Sequence, residues 1–425
     1  AASDVYKRQF QFRSKMNFNL RIRKNQQVGG TVSGLPASKS VSNRVLVLDA
    51  LAGFGSELQN LSEARDTQLM QKLVKSSDKI IDVMDAGTTM RFLTAFYAIS
   101  GSNRIMTGTD RMKERPISPL VNTLREIGAD IRYLGKEGYP PLEILGFSGQ
   151  RTREVTIPGN LSSQFISALM MIAPVLPLGL RIHLSGHVGS RPYIKMTQEM
   201  IRMYGGKIEF NENLIEVSPG GLTKVNYAVE PDWSAASYWF SFCGLSEQGK
   251  FYLPGNFSKS FQGDQVITDI GKQLGIKSER SAEGLALTKT SNLNEVQWDF
   301  TDCPDLAQTV APLCAFKGIT GIFTGLESLR IKETDRIAAL QQELAKSGAT
   351  LEEKSSGVWK LTPASRKSDY LFEVQTYHDH RMAMGFAPLA TNLDVAIEDR
   401  NVVNKSYPRF WTCLLYTSPS PRDAT

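Results

Sequence analysis

The sequence predicts an α/β protein of two domains, each built from three compact units of two helices and several strands. Three observations predict it. Across the 425 residues, a short polar or charged cluster opens a segment rich in Ala, Leu, Met and Phe six times, near Ser40, Thr88, Ser163, Ser234, Asp305 and His380. The steps are about 48, 75, 71, 71 and 75 residues, and a fixed period of this kind argues for structural repeats. Alongside, amphipathic helical segments end in Gly128, Gly205, Gly275 and Gly348 and pass into strand-like runs; glycine is the expected left-handed helix terminator. Finally, the short first step predicts a split first unit, whose early strand within 17–33 joins the other domain. The expected domains are 10–37 plus 230–412 (lower) and 38–229 (upper).

The first opening, GLPASKSVSNR at 34–44, packs a lysine, three hydroxyls and an arginine into a helix start. Pro36 suits a tight entry, and Ser38 or Ser40 can cap the helix. Unpaired backbone N–H groups, the positive end of the helix dipole, Lys39 and Arg44 would then make an anion site. It is not a Walker A loop, because Ser33 and Ser38 stand where that motif needs glycine. The same logic extends to all six openings. Segments that begin polar and continue apolar all round have buried bodies, so their polar starts should surface together around one anion-attracting cleft.

Four stretches at or between these openings carry candidate charged groups. RMKERPI, 111–117, puts Arg111, Lys113 and Arg115 in one loop, and arginine there suits bidentate grip on a carboxylate or phosphate. In CPDLAQTVAPL, Asp305 reads as the N-cap of an apolar helix, and among so many cations a positioned base has value. LRIKETDRIAAL, 329–340, crowds Lys332, Glu333, Asp335 and Arg336 at a helix start, which reads as an acid/base carboxylate held among cations. YHDHRMAMGF, 377–386, opens its helix with His380 and Arg381; His378, Asp379 and His380 lack a third ligand at metal spacing.

Composition narrows the function classes. With 41% hydrophobic and 22% charged residues the chain reads as an ordinary soluble protein, and its apolar runs fall short of the roughly 20 residues needed to span a bilayer. A net charge of +6 without basic blocks does not suit a nucleic-acid binder and fits small acidic substrates. Cys243, Cys303, Cys314 and Cys413 have no CxxC spacing, which favours a reducing cytoplasm over zinc or a disulfide framework. AASDVYKRQ at 1–9 and CLLYTSPSPRDAT at 413–425 read as translated sequencing-adapter segments, set aside from the fold.

The ordered set LPASKSVSNR, DAGTTMRFL, DRMKERPI, NLSSQF, SRPYI, EPDWSAASY, CPDLAQT, LRIKETDR, TYHDHRMAM and NKSYPRFW resembles the 5-enolpyruvylshikimate-3-phosphate synthases. The resemblance implies the two-domain inside-out α/β fold of the enolpyruvyl transferases, with three βαβαββ-type repeats per domain. It implies that Lys39, Ser40, Arg44, Ser162, Ser163, Gln164, Ser190, Tyr193, Asp305, Ser328 and Lys332 hold shikimate 3-phosphate. Phosphoenolpyruvate would be held by Lys39, Gly87, Arg115, Gln164, Arg336, Arg381 and Lys405, with Lys39, Asp305, Glu333 and His380 carrying the chemistry. No metal or organic cofactor is implied, and a cleft formed within one chain makes a monomer the default. Against the common family pattern, Ala37, Asp85, Phe92, Arg191 and Ser328 are departures. The rival readings are the sister transferase acting on UDP-N-acetylglucosamine, which usually carries a loop cysteine whereas no cysteine precedes Cys243 here, and a truncated, non-catalytic anion-binding copy.

Overall fold

The computed structural model describes residues 19–160, 162–291, 293–363 and 370–417. The expected foreign segment 1–9 lies outside the described residues, as does 418–425. Residues 413–417 do not: Cys413 and Leu414 are buried at the end of the helix Phe410–Tyr416.

Four units repeat one pattern, strand–helix–strand–helix–strand–strand. In the unit running from 80 to 147, strand Ile80–Asp82 lies parallel to Arg104–Thr107, which pairs antiparallel with Leu142–Phe147, flanked in turn by Ala129–Tyr133. The units at 154–217 and 295–362 repeat that strand order. A right-handed crossover helix is the ordinary link between the parallel pair in each unit.

The fourth complete unit is assembled from distant pieces. Gly30–Thr31 pairs in parallel with Phe251–Tyr252, completing the sheet of Lys250–Pro254, Ile276–Arg280 and Gly284–Lys289. Gly30–Thr31 thus joins a sheet whose other strands all lie within 250–289. The remaining two units are also composite and have fewer strands. Asn226–Ala228 pairs with Glu57–Gln59, and Leu20–Ile22 pairs antiparallel with Asp394–Ile397 beside Leu371–Val374. The described part of 17–33 therefore serves two sheets, through Leu20–Ile22 and Gly30–Thr31, rather than one.

The six apolar helices are Lys39–Leu51, Gly87–Ile99, Ser163–Ile172, Trp233–Leu245, Ala307–Lys317 and His380–Phe386. Nine consecutive residues of the first, Val41–Asp49, are buried, as are Ala235–Leu245 of the fourth. Such helices have no solvent face. By contrast Ser118–Ile127 buries one stripe, Leu120, Val121, Leu124 and Ile127. Two cores result. One gathers apolar side chains from Ala37 to Val229, the other gathers Val28, Val32 and those from Trp233 to Leu414; we call them the upper and lower cores. In the lower core, Trp233, Tyr238, Trp239, Phe240 and Phe242 are each at most 1% exposed, and each such side chain stabilises by about 1.5–3 kcal/mol.

The chain passes between the cores twice, side by side. Ala37 bridges Pro231, Ser38 N–H donates to Glu230 O at 2.8 Å, and Asp232 N–H donates to Pro36 O at 2.9 Å. The terminator glycines behave as predicted, with φ of +130°, +82°, +72° and +83° at Gly128, Gly205, Gly275 and Gly348. A side chain there would be strained.

Candidate active site

Four of the six helix starts carry a side-chain cap: Ser38 on Val41 N–H, Ser162 on Gln164 N–H, Asp232 on Ala235 N–H and Asp379 on Arg381 N–H. Asp305 does not cap its helix. A 3-10 turn, Pro304–Leu306, precedes the helix, and Leu306 takes the N-cap position. The Asp305 carboxylate instead accepts from Arg336 Nη1 and from Arg381 Nη2, both at 2.8 Å. Two guanidinium donors are stronger partners than backbone N–H groups.

Arg336 is the centre of the lower half. It is 2% exposed and holds three carboxylates: Asp379 Oδ2 at 2.6 Å, Asp305 Oδ1 at 2.8 Å and Glu333 Oε2 at 3.0 Å. Its helix, Arg336–Ala345, starts at Asp335, whose carboxylate accepts from Ile337 and Ala338 N–H. Gly385 lets the His380 helix lie against the Asp305 helix, since a Cβ there would stand 2.2 Å from Gln308 O. That contact brings Arg381 to Asp305. Lys405 reaches Glu333 Oε1 at 3.6 Å and Asp85 Oδ2 at 3.1 Å.

The upper half supplies Lys39, whose Nζ stands 3.4 Å from Asp66 Oδ2 and whose backbone N–H donates to Asp232 Oδ2 at 3.1 Å. Gly87 lies under Arg115 and Arg91; an added Cβ would meet their Nη1 atoms at 2.7 and 2.9 Å. Arg91 donates to Gly87 O at 3.0 Å. Gln164 Nε2 donates to Thr88 Oγ1 at 3.1 Å, tying two helix starts together. Arg44 is turned inward: it donates to Thr197 Oγ1, Ser40 O and Ser167 Oγ, and its guanidinium lies over Phe92 and Tyr193 at 5.3 and 5.8 Å. It braces Ser40 and Tyr193 from behind. The two halves meet directly, through Arg111 Nε to Glu333 O at 3.3 Å, Ser190 N–H to Thr301 O at 3.3 Å and Arg191 N–H to Asp302 Oδ1 at 3.0 Å.

Left-handed backbone at non-glycine residues marks the approaches to this site. Met84, Ser190, Tyr377 and His378 have φ of +50°, +54°, +51° and +55°, and such positions cost of order 1–3 kcal/mol each. They stand just ahead of Asp85 and Gly87, of Tyr193, and of Asp379, His380 and Arg381. Ser328 lies half-buried in the turn Glu327–Ile331, and no side-chain hydrogen bond among the described residues joins it to the cluster.

Electrostatics sort the titratable groups. Burial alone would raise Asp305, but Arg381, Lys332 and Arg336 outweigh it and hold the carboxyl below its usual range. Burial would likewise raise Glu333, yet Arg336, Lys405 and Arg115 hold it well below. His380 is pushed well below the usual imidazole value, first by burial and then by Lys39 and Arg381; it is a neutral ring. Lys332 is lowered by burial, against the pull of Asp305. Lys39, Arg115, Asp305, Lys332, Glu333, Arg336, His380, Arg381 and Lys405 therefore share one electrostatic field. A cavity of about 530 Å³ lined by Pro192, Lys195, Phe261 and Trp298 holds none of these groups.

A family model for EPSP synthase (3-phosphoshikimate 1-carboxyvinyltransferase) matches residues 22–79 and 71–414. The chain belongs to this family. A 3-phosphoshikimate 1-carboxyvinyltransferase of Bacteroides fragilis (strain YCH46) is 43% identical over 393 residues, covering 91% of this chain and 95% of that protein. One of Mannheimia haemolytica is 35% identical over 411 residues, covering 89% and 94%. An EPSP synthase structure from Acinetobacter baumannii superposes with a TM-score of 0.76 at 20% identity, covering 94% of this chain and 98% of that one, and shows the shared fold.

Within this EPSP synthase family member, sequence reasoning missed several groups that hold the site together. Asp66 partners Lys39, Asp85 partners Lys405 and Arg65, and Asp379 braces Arg336. Asp66 carried one signal, an acidic residue in the first turn of a helix. Asp379, beside His380, reads in its own segment only as a metal-ligand candidate, because Arg336 arrives from 43 residues away. Among the described residues no group of three or more His, Cys, Asp or Glu is placed to hold a metal, and no helix is long and apolar enough to cross a membrane.

Proposed function

We propose that the chain transfers the enolpyruvyl group of phosphoenolpyruvate to the 5-hydroxyl of shikimate 3-phosphate, giving 5-enolpyruvylshikimate 3-phosphate and phosphate. One observation carries the site assignment: Asp305 and Glu333 are two of the three carboxylates held by a single buried Arg336, and the two that also have Arg381 or Lys405 beside them. Phosphoenolpyruvate takes the cationic pocket of Arg115, Arg336, Arg381 and Lys405 over Gly87, with Gln164 and Lys39 at its edge. Shikimate 3-phosphate takes Lys39, Ser40, Ser162, Ser163, Gln164, Ser190, Tyr193, Ser328 and Lys332, with Arg44 supporting from behind and Asp305 at the 5-hydroxyl. The two crossings between the cores, beside Ala37 and Pro231, would then divide the chain into two domains that close on both substrates.

Asp305 accepts the 5-hydroxyl proton as that oxygen bonds to C2 of phosphoenolpyruvate, and Glu333 delivers a proton to the methylene carbon. The product is a tetrahedral ketal. Its C2–O bond to phosphate then breaks while a methyl proton returns to Glu333, restoring the double bond, and the proton held by Asp305 leaves with the phosphate. Lys39 steadies the bridging oxygen. Without substrate both carboxylates are ionised. Bringing the anions of phosphoenolpyruvate onto Arg336, Arg381 and Lys405 adds like charge beside Glu333 and raises its proton affinity, so the substrate itself converts Glu333 into the acid that the first step needs. The cations orient both anions and offset charge on the departing phosphate.

Glyphosate, by this reading, competes with phosphoenolpyruvate over Gly87; Phe92 is buried under Arg44 and does not line that space. A monomer working in the cytoplasm suits a cleft complete within one chain and four free, buried cysteines. The test is phosphate release from phosphoenolpyruvate with shikimate 3-phosphate and, separately, with UDP-N-acetylglucosamine. Release with the first alone supports the proposal. Release only with the second, or with neither, overturns it.

A further inference from the structure

The mechanism leaves one buried carboxylate at the site without a task. Asp264 lies in the short turn Gly263–Val266 and is 3% exposed. Its Oδ2 accepts a hydrogen bond from Ser234 Oγ, while its buried Oδ1 has no hydrogen-bond partner among the described residues. Ser234 Oγ also accepts from Arg381 Nη2 at 3.3 Å, and that same nitrogen donates to Asp305 Oδ2 at 2.8 Å. One guanidinium thus stands between two carboxylates, touching one directly and the other through a hydroxyl.

We propose that Asp264 is a positioning residue which, through Ser234, fixes Arg381 against Asp305 and so sets the grip of Arg381 on the anionic donor substrate. The inference rests on the reading of Arg381 as a phosphoenolpyruvate ligand. A hydroxyl has one hydrogen, and an ionised carboxylate only accepts. With Asp264 charged, the Ser234 hydrogen must point to it, and the polarised oxygen accepts more strongly from Arg381. Protonating Asp264 removes both that polarisation and one negative charge near the guanidinium.

The groups that face Asp264 are Asp305, Arg381 and Asp232, together with Tyr193 and Cys303. Burial, and next the charge of Asp305, push Asp264 up to about 6. Asp305 is held low by Arg381 instead. Two carboxylates around one cation whose proton affinities are driven apart are the usual mark of divided roles. Asp264 is then ionised above about 6 and neutral below, so the hold on Arg381 loosens as pH falls through that value.

The test is phosphate release with varied phosphoenolpyruvate at saturating shikimate 3-phosphate, from pH 5 to 8, for wild type, Asp264→Asn, Ser234→Ala and Asp264→Glu. The substrate's own phosphate titrates near pH ~6, so the readout is the ratio of wild type to variant across pH. At pH 7.5 the Asn and Ala variants should raise KM for phosphoenolpyruvate roughly 5- to 20-fold with kcat within about 3-fold, the loss of one charge-assisted hydrogen bond. That ratio should shrink towards 1 below pH 6, and Asp264→Glu should recover the wild-type profile. Should Asp264→Asn fail to fold, Ser234→Ala carries the same expectation. An unchanged KM in Ser234→Ala, or a ratio independent of pH, overturns the proposal. Arg381→Lys separates the two layers: if it leaves KM for phosphoenolpyruvate unchanged, the site reading fails. If it raises that KM while Ser234→Ala does not, only the role of Asp264 fails.

Discussion

The helix starts of the two cores are built on opposite principles. In the upper core they are hydroxyls, amides and a glycine, with separate ion pairs around them, Lys39 to Asp66 at 3.4 Å and Asp85 to Arg65 and Lys405 at 2.6 and 3.1 Å. In the lower core they are a knot of ion pairs in which Arg336 alone joins Asp305, Glu333 and Asp379. The upper starts present donors to an incoming anion. The lower starts hold their charges in place before any substrate arrives. A preassembled charge knot is costly to break, because removing one partner leaves buried charge unpaired, whereas loosely paired donors can be removed with little effect on the fold.

That contrast breaks first at Arg336. Arg336→Met leaves Asp379, which is fully buried, without its main counter-charge, so denaturant unfolding should show a loss of about 3–5 kcal/mol together with loss of turnover. Arg336→Lys keeps the charge but not the fork that spans three carboxylates, and should recover only part of the stability. Next comes Lys39→Met in the upper core. Turnover should fall at least ~10²-fold, the usual scale for a preorganised electrostatic contact, while unfolding should lose less than in Arg336→Met, because Lys39 makes one ion pair at 3.4 Å where Arg336 makes three. Equal destabilisation by the Lys39 and Arg336 substitutions would erase the contrast.

Gly87→Ala is a finer probe. Its Cβ would stand 2.7 Å from Arg115 Nη1, and a flexible arginine end can move aside. KM for phosphoenolpyruvate should rise roughly 10-fold, about 1.4 kcal/mol of lost binding, with KM for shikimate 3-phosphate little changed. The smallest effect concerns His380. Its proton affinity is depressed well below the ordinary value of 6.5, so the stability it contributes is present above about 6.5 and is lost as pH falls, when the unfolded chain takes up a proton that the folded chain refuses. The slope from this one group is at most about 1.4 kcal/mol per pH unit. Unfolding curves at pH 7.5 and 5.5 should diverge less in His380→Gln than in wild type.

Much of this was legible in the sequence for a local reason. A helix start, an apolar body and a terminal glycine are each written within a dozen residues, so the six openings and the Gly128, Gly205, Gly275 and Gly348 ends could be read directly. The pairing of Gly30–Thr31 with Phe251–Tyr252 left only an indirect trace, the short first step. That Leu20–Ile22 would serve a second sheet left none. Partnerships across tens of residues were the least visible. Asp305 looks like an N-cap in its own segment, and only the arrival of Arg336 and Arg381 from later segments takes the carboxylate away from its helix. Asp264 and Asp66 are single carboxylates whose importance lies wholly in what the fold packs against them.

The central claim is that Asp305 and Glu333 move protons within a site whose cations do the binding. The most direct measurement is turnover in Asp305→Asn and Glu333→Gln, each at saturating phosphoenolpyruvate and shikimate 3-phosphate, with binding of both substrates measured alongside. Removal of a general acid or base should lower kcat by roughly 10²–10⁴-fold in each variant, with both substrates still bound. Near-normal turnover in either variant would contradict the account.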